Sequence, residues 1–270
     1  RYNGECSYPS FALGGNEKVT FRFEPADENS VLNIRKTYSN WGINAGAGER
    51  VTVELIGGKI VTDGNVNVQG SNTYKEGFDG ALLIEGCDLT CVSIYARELT
   101  IDNATVETTS ESESTGIRGG KTYSNYPAKG FLKIINGSTV TCAATVGGKR
   151  VYESELEKSE ITVEITDSTV NCAAVRDAAT ITIKDSTVNA NAPETYLNTA
   201  AIGGYFLKLN IENSIISAHA TGYKSSAIGA GRFESCYVSG GASAYTITLK
   251  DSTVTATATK GNAIGSSHYE

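Results

Sequence analysis

Acidic side chains recur in this 270-residue chain in two settings that could hold a cation. Asp167, Asp185 and Asp251 occupy the same position of a repeated phrase, and further acids cluster in residues 107–113 and 153–157. Carboxylate oxygens are the ligands that calcium prefers. Calcium is therefore a candidate cofactor at either place. The simpler interpretations are that the repeated Asp residues form backbone bends and that the acidic clusters are solvated loops.

Histidine, serine and arginine are not spaced in a way that indicates a catalytic set. His219 aligns with the polar residues Asn191 and Thr257 of neighbouring repeats, which predicts a surface position, and His268 is close to the last residue. A pair of carboxylates for glycoside hydrolysis is neither indicated nor excluded by the sequence. We therefore assign no catalytic residue from the sequence.

Three of the six cysteines share one column of the repeat. Cys91, Cys142 and Cys172 each follow an aligned apolar residue by two positions, which predicts buried thiols that pack as small hydrophobic side chains. Cys142 and Cys172 should lie in adjacent repeats, so a disulfide between them is the alternative. The cysteines lack the spacing of metal ligands, and the pairing of Cys6 and Cys236 is left open.

Tyrosine is abundant, with 14 residues against one tryptophan. Many of the tyrosines lie in insertions between repeats, and insertions at one point of a stacked repeat project from one side. Exposed tyrosine rings would suit sugar rings or a protein partner, whereas rings lying flat would shield the repeat from water. The predicted ligand-binding set is Tyr74, Tyr123, Tyr126, Tyr152, Tyr196, Tyr223 and Tyr237.

The elements that position these residues are copies of one short phrase, clearest in residues 161–172, 181–190 and 247–256. The shortest spacings between copies are 17 residues, from Leu89 to Val106, and 18 residues, from Val170 to Val188. Longer spacings are the same unit with inserted loops, a pattern typical of solenoids. The aligned apolar positions are Ile60, Leu89, Val106, Val140, Val170, Val188, Ile216 and Val254.

Each unit alternates apolar and polar residues with a period of two, which predicts short strands. The strands are separated by a residue that tolerates a left-handed backbone, and an Ala-Ile-Gly segment such as residues 201–203 adds a third strand. We predict an all-β, three-faced parallel β-helix of about 9–10 coils about 4.8 Å apart, with long loop insertions. Parallel crossovers favour the right-handed form. The bend positions are Gly57, Gly86, Asn103, Gly137, Asp167, Asp185, Asn213 and Asp251.

Residues 1–270 are predicted to form a single β-helix domain. Residues 19–23 and 31–34 read as strands of early coils, and residues 1–18 as an N-terminal cap in which Phe11 and Leu13 cover the open end. The sequence stops just after a third-face strand, so we expect the natural protein to continue beyond residue 270.

Composition excludes some classes of partner. The formal charge of −7 and the pI near 5.1 disfavour nucleic acid, and they disfavour an acidic polymer unless cations bridge the two. No run of about 18 apolar residues is present, which argues against membrane insertion.

The phrase Ile-Thr-Ile-Lys-Asp-Ser-Thr-Val in residues 181–188, alternating with Ala-Ile-Gly-Gly in residues 201–204, resembles repeats of secreted and wall-attached bacterial proteins with the pectate-lyase-like β-helix. The resemblance covers roughly residues 50–267. Some proteins with such repeats are described as carbohydrate-binding-domain proteins. Enzymes with this fold use an Asp cluster around calcium and an Arg or Lys base, and the resemblance places no such cluster here.

We therefore predict a non-catalytic binding domain of a secreted or cell-surface bacterial protein, with a polysaccharide or glycan as its ligand. An adhesin that binds a host protein is one alternative. A polysaccharide lyase or glycoside hydrolase with an atypical site in the loops is another, with Arg118 or Arg150 as the residues to test as a base. A purely structural spacer is the plainest alternative.

Overall fold

The repeated phrase folds as a stack of parallel β-strands. The computed structural model describes residues 1–14, 18–36, 40–45, 51–69, 80–112, 116–123, 126–149, 158–197, 199–230 and 245–265, and every regular element within these ranges is a strand. The strands are β1 (Glu5–Tyr8), β2 (Phe11–Ala12), β3 (Val19–Phe23), β4 (Val31–Ile34), β5 (Trp41–Ala45), β6 (Val51–Ile56), β7 (Lys59–Thr62), β8 (Asn65–Val68), β9 (Gly80–Glu85), β10 (Asp88–Cys91), β11 (Ile94–Ala96), β12 (Glu98–Asp102), β13 (Thr105–Thr108), β14 (Gly116–Gly119), β15 (Lys121–Tyr123), β16 (Tyr126–Ile135), β17 (Thr139–Gly148), β18 (Glu160–Thr166), β19 (Thr169–Arg176), β20 (Thr180–Lys184), β21 (Thr187–Ala192), β22 (Ala200–Gly204), β23 (Lys208–Glu212), β24 (Ile215–Ala220), β25 (Ser226–Ala230), β26 (Thr246–Lys250) and β27 (Thr253–Ala258).

The strands form three columns, which we call the first, second and third faces of a solenoid-like stack. The first face is β3, β6, β9, β12, β16, β18, β20, β23 and β26. The second is β1, β4, β7, β10, β13, the first parts of β17 and β19, β21, β24 and β27. The third is β2, β5, β8, β11, β14, the last parts of β17 and β19, β22 and β25. Pairing within each face is parallel, and β15 pairs antiparallel with β16.

The register of the second face confirms the alignment made from the sequence. Val170 pairs with Val140 on one side and with Val188 on the other. The same column continues without a slip from Ile60 to Val254. Inward residues of all three faces, such as Ile181 and Val188, are fully buried in one continuous core. Each such side chain contributes about 1.5–3 kcal/mol by leaving water.

The bends between the first and second faces are also as predicted. All eight predicted bend residues have positive φ, for example 50° at Asp185 and 46° at Asn213. The Asn213 amide Nδ2 donates to Asp185 Oδ1 at 2.6 Å, so the side chains also link one coil to the next. The bend interpretation of these acids is confirmed.

A serine follows many of the bends and forms a buried ladder along the stack. The hydroxyl of Ser186 donates to the carbonyl oxygen of Lys184 at 2.6 Å and accepts from the backbone N–H of Ser168 at 3.2 Å. The same pattern links Ser186 to Ser214 and Ser214 to Ser252. The Asp-Ser of the repeat therefore serves two structural purposes, a bend and a hydrogen-bonded corner.

The N-terminal segment differs from the predicted cap. β1 pairs with β4, and β2 pairs with β5, so both strands extend the stack as a further coil rather than lying across its end. The ring of Phe11 packs on Phe23 with centroids 5.0 Å apart, and Leu13 is buried. The extended pairing forms because residues 5–12 carry strand hydrogen bonds that a flat cap would leave unmade.

The other end of the described stack is more open. Leu249 of β26 and Ile264, which bridges to Ile228, are both exposed. In the ranges that the structure describes, no helix has the length and apolar character needed to cross a membrane.

Candidate functional site

The outward side of the second face is a regular array of small polar side chains. Strand alternation places Thr, Asn and Ser at the outward positions, and pairing in register stacks them about 4.8 Å apart. One row runs from Thr141 through Asn171 and Asn189 to Ser217. In this row Asn189 Nδ2 donates to Asn171 Oδ1 at 2.8 Å. The face therefore presents uncharged donors and acceptors at a fixed repeat.

A groove of about 490 Å³ crosses this array where the second face turns toward the third. It lies beside an irregularity in β17, where the register with β19 shifts between Cys142 and Thr145. We call this depression the second-face groove. The described residues that line it include polar ones, namely Glu107, Thr109, Thr141, Asn171 and Asn191, and small apolar ones, namely Cys142, Ala143, Cys172, Ala173 and Pro193.

The second-face groove offers uncharged hydrogen-bonding groups beside small apolar side chains. Asn171 and Asn191 contribute amides, Thr141 contributes a hydroxyl, and Ala143 and Pro193 contribute small apolar patches. Amides and hydroxyls both donate and accept, as the hydroxyls of a sugar do. The sequence predicted that Asn191 points outward, but the repeat gave no signal for the groove or for the register shift in β17 beside it.

Among the residues known to line the groove, Glu107 is the single carboxylate. Glycoside hydrolysis in most families uses two carboxylates on opposite sides of the bond that is cleaved. The described lining does not supply that pair. His219 pairs with Asn191 and Thr257 and is partly exposed, as its alignment predicted.

The cysteine column lies beneath this groove. Cys142 and Cys172 are paired in register, and Cys91 belongs to the same column two strands earlier. These three cysteines and Cys87 are buried and reduced, which confirms the prediction of packed thiols. Burial raises the pKa of the Cys87 thiol to about 12 and raises the pKa values of the other three. Few thiolates form at neutral pH, and nucleophilic chemistry is suppressed. Cys236 lies outside the described residues.

A buried charge cluster lies on the outward side of the third face. Asp177 Oδ2 is 3.5 Å from Arg118 Nη1 and 3.4 Å from Arg176 Nε. Arg176 also donates from Nη1 to Thr199 Oγ1 at 2.6 Å, and its guanidinium lies 5.2 Å from the ring centre of Tyr196. The cluster therefore fastens the segment after β21 onto the third face.

Arg118 is held within this cluster and is not available as an exposed base. Its Nη1 donates to the carbonyl oxygen of Gly148 at 3.0 Å, and the side chain is buried. Burial lowers the pKa of Arg118, and the carboxylate of Asp177 opposes that shift. Arg150, the other residue named as a test of a base, lies outside the described part of the chain.

The tyrosines that were predicted to form an exposed row differ in their exposure. The prediction that Tyr196 is an exposed ligand-binding ring is wrong, because only 1% of the residue is exposed and its ring packs on Arg176. Tyr223 is 49% exposed, with Lys224 Nζ 4.8 Å from its ring centre. The backbones of Tyr123 and Tyr126 are partners in the antiparallel pair β15–β16. Tyr74, Tyr152 and Tyr237, and the side chains of Tyr123 and Tyr126, lie outside what the structure describes.

The structure gathers no metal ligands within its described ranges, where no three His, Cys, Asp or Glu residues come together. Glu113 and residues 153–157, which belong to the two acidic clusters, fall outside those ranges. Calcium binding by the clusters therefore stays a prediction.

No protein-family model, no curated protein and no solved structure matches this chain.

Proposed function

We propose that this chain is a right-handed, three-faced β-helix of a secreted or cell-surface protein, and that it binds carbohydrate without cleaving it. The second-face groove carries the proposal, because its lining combines uncharged polar side chains from successive coils with small apolar ones, as a surface for sugar rings requires. The ligand is a linear glycan that lies in the groove.

The repeat of the stack supports a polymer as the ligand. Glu107, Thr141, Asn171 and Asn191 come from the four successive strands β13, β17, β19 and β21. Three strand spacings extend about 14 Å along the stack. A polymer with a hydroxyl-bearing repeat can meet equivalent donors and acceptors on each coil, whereas a small ligand would meet only one or two.

Three further arguments support the proposal. Right-handedness follows from the strong general preference for right-handed crossovers between parallel strands. The resemblance of residues 181–188 and 201–204 to repeats of bacterial surface proteins favours an extracellular location, and the small apolar patches of Ala143 and Pro193 suit the faces of sugar rings.

The test is binding of the intact chain to a panel of plant, bacterial-wall and host glycans, followed by calorimetry on any glycan bound. The double variant N171A/N191A should lower affinity about tenfold, because each neutral hydrogen bond contributes about 0.5–1.5 kcal/mol. The matched control is S217A/T255A, which removes two polar side chains of the same face beyond the groove. Absence of binding to every glycan, or equal loss in both variants, would contradict the proposal.

A protein ligand is the second candidate, and a separate observation favours it. Leu197 and Tyr223 are both exposed, and they follow the paired strands β21 and β24 at the same corner of the stack. Exposed apolar side chains that gather on one side of a protein are typical of protein-binding surfaces. An adhesin would capture host protein in a pull-down that free sugars do not inhibit and that L197S/Y223S abolishes.

A further inference from the structure

A second cavity, separate from the second-face groove, lies at the N-terminal end of the stack. It has a volume of about 940 Å³ and opens where the chain leaves β1 and β4. Its lining is Ser7, Tyr8, Pro9, Ser10, Arg35, Lys36 and Asn40. We call it the N-terminal cavity.

An exposed aromatic ring forms one wall of this cavity. Tyr8 is 45% exposed, and its ring is supported from behind by Phe11, with centroids 5.9 Å apart. Phe11 in turn packs edge-on against Phe23. Tyr8 is therefore a supported, outward ring next to Pro9, which is the arrangement that stacks on the face of a sugar. Tyr8 was not among the tyrosines selected from the sequence, because it lies in a strand and not in an insertion.

Two cationic side chains line the same cavity and make no ion pair with any residue that the structure describes. Each of the other arginines in the described ranges makes an ion pair with an acid. Arg35 has none there, and neither does the ammonium of Lys36. The exception is notable in a chain of formal charge −7, in which acids outnumber cations.

Backbone hydrogen bonds fix the main chain of both residues, whereas their charged ends have no ion-pair partner in the described part of the chain. The N–H of Arg35 donates to the carbonyl oxygen of Tyr8 at 3.0 Å, and the N–H of Lys36 donates to Asp63 Oδ1 at 2.5 Å. The nearby carboxylate of Glu5 accepts from Asn33 Nδ2 at 3.2 Å. These contacts fix the backbone of two exposed cationic residues that line the cavity with Tyr8.

We propose that the N-terminal cavity binds a sugar that carries a tetrahedral oxyanion ester, either a sulfate or a phosphate. The sugar ring stacks on Tyr8, and the ester oxygens accept hydrogen bonds from Arg35 and Lys36. Ser7, Ser10 and Asn40 add further donors, so the cavity offers more donors than the two oxygens of a carboxylate use. A tetrahedral ester presents three oxygens and suits Arg in a charge-assisted pair.

The proposed site would bind an anion although the chain as a whole is acidic. The acidic composition disfavours anionic polymers as ligands of the whole chain. The charged side chains known to line the N-terminal cavity are Arg35 and Lys36, and both are positive. The nearest carboxylates, Glu5 and Asp63, lie outside that lining and accept hydrogen bonds from Asn33 and from the N–H of Lys36. Within about a Debye length of 10 Å all four charges act on a ligand, and the two cations are the ones that it would contact.

The test is calorimetry of the full chain with a sulfated galactan oligosaccharide and with the same oligosaccharide after desulfation. The sulfated probe should bind at least about tenfold more tightly, and R35Q and K36Q should each remove most of that difference. Y8A should weaken both probes. The matched control K208Q removes an exposed lysine of the first face and should change neither.

Several outcomes would overturn the proposal. Equal affinity for the two probes excludes recognition of the ester, and equal loss in R35Q and K208Q indicates general charge attraction. A polyuronate that binds as tightly as the sulfated probe shows that a carboxylate suffices. A sugar phosphate that competes with the sulfated probe supports the oxyanion assignment, and N171A/N191A should leave this binding intact, which keeps the test separate from that of the second-face groove.

Discussion

Removing the charge of Asp177 should destabilise the chain more than any ordinary surface substitution. Asp177 lies between Arg118 and Arg176, and only 1% of its side chain is exposed. The substitution D177N keeps the size and shape of the side chain. Asn also tolerates the positive φ of 66° at this position, so the change isolates the charge.

The magnitude follows from the contacts that remain. Removing one partner of a buried ion pair costs about 3–5 kcal/mol, because the other charge is left in the interior uncompensated. Arg118 keeps its bond to Gly148 and Arg176 keeps its bond to Thr199, which places the loss near the lower limit. We expect the free energy of unfolding to fall by about 3 kcal/mol, which lowers Tm by about 6–12 °C in a chain of this size.

The assay is urea and thermal unfolding of D177N beside D185N. Asp185 is also an Asp at positive φ, but its side chain is 39% exposed and lies 4.0 Å from Lys184 Nζ. D185N should change stability by less than about 0.5 kcal/mol. The double variant R118Q/D177N should lose less than the sum of its single variants. If D177N loses no more than D185N, the reasoning about the cluster is refuted.

Three further predictions concern backbone and thiols. The substitution G203A should lower the free energy of unfolding by more than about 3 kcal/mol, because φ is +123° and the new Cβ would lie 2.2 Å from the carbonyl oxygen of Gly229. The control G86N, at a φ of 56° with open space around it, should fold normally in the same unfolding assay. Stability should fall as pH rises from about 9 toward 12, because the folded state holds the Cys87 pKa at about 12 against the ordinary thiol value of 9.0. At pH 10 this thiol contributes a loss of about 1.4 kcal/mol relative to pH 8, which C87A should remove from the measured urea midpoints. Mass spectrometry after brief alkylation of the folded chain at pH 8 should show rapid modification of half-exposed Cys6 and protection of the four buried thiols, and rapid modification of Cys142 would contradict the packed column.

The features that recur in every repeat, namely the inward column and the bends, could be predicted from the sequence. The column from Ile60 to Val254 and the bends at residues such as Asp185 follow from local preferences that are restated in every coil, so each copy supports the others. The left-handed backbone at each bend needs Asn, Asp or Gly, and that requirement is visible in one sequence.

The parts that depend on contacts between unlike segments could not be predicted. The second-face groove lies beside a register shift in β17, and Tyr196 is buried because its segment packs onto Arg176. The N-terminal cavity needs Tyr8 and Arg35, which are 27 positions apart and are brought together by the pairing of β1 with β4. The sequence has no repeated pattern at these points from which a neighbour could be inferred.

The serine ladder gives the stack a direction. In each link the backbone N–H of the earlier coil donates to the hydroxyl of the later coil, from Ser168 to Ser186, Ser214 and Ser252. Fraying of the last coil therefore frees the amide of Ser214 first, while the amide of Ser168 stays held until two further coils have opened. Hydrogen exchange at these corner amides should therefore slow in steps with distance from the last coil. Its rates would report the loss of structure one coil at a time.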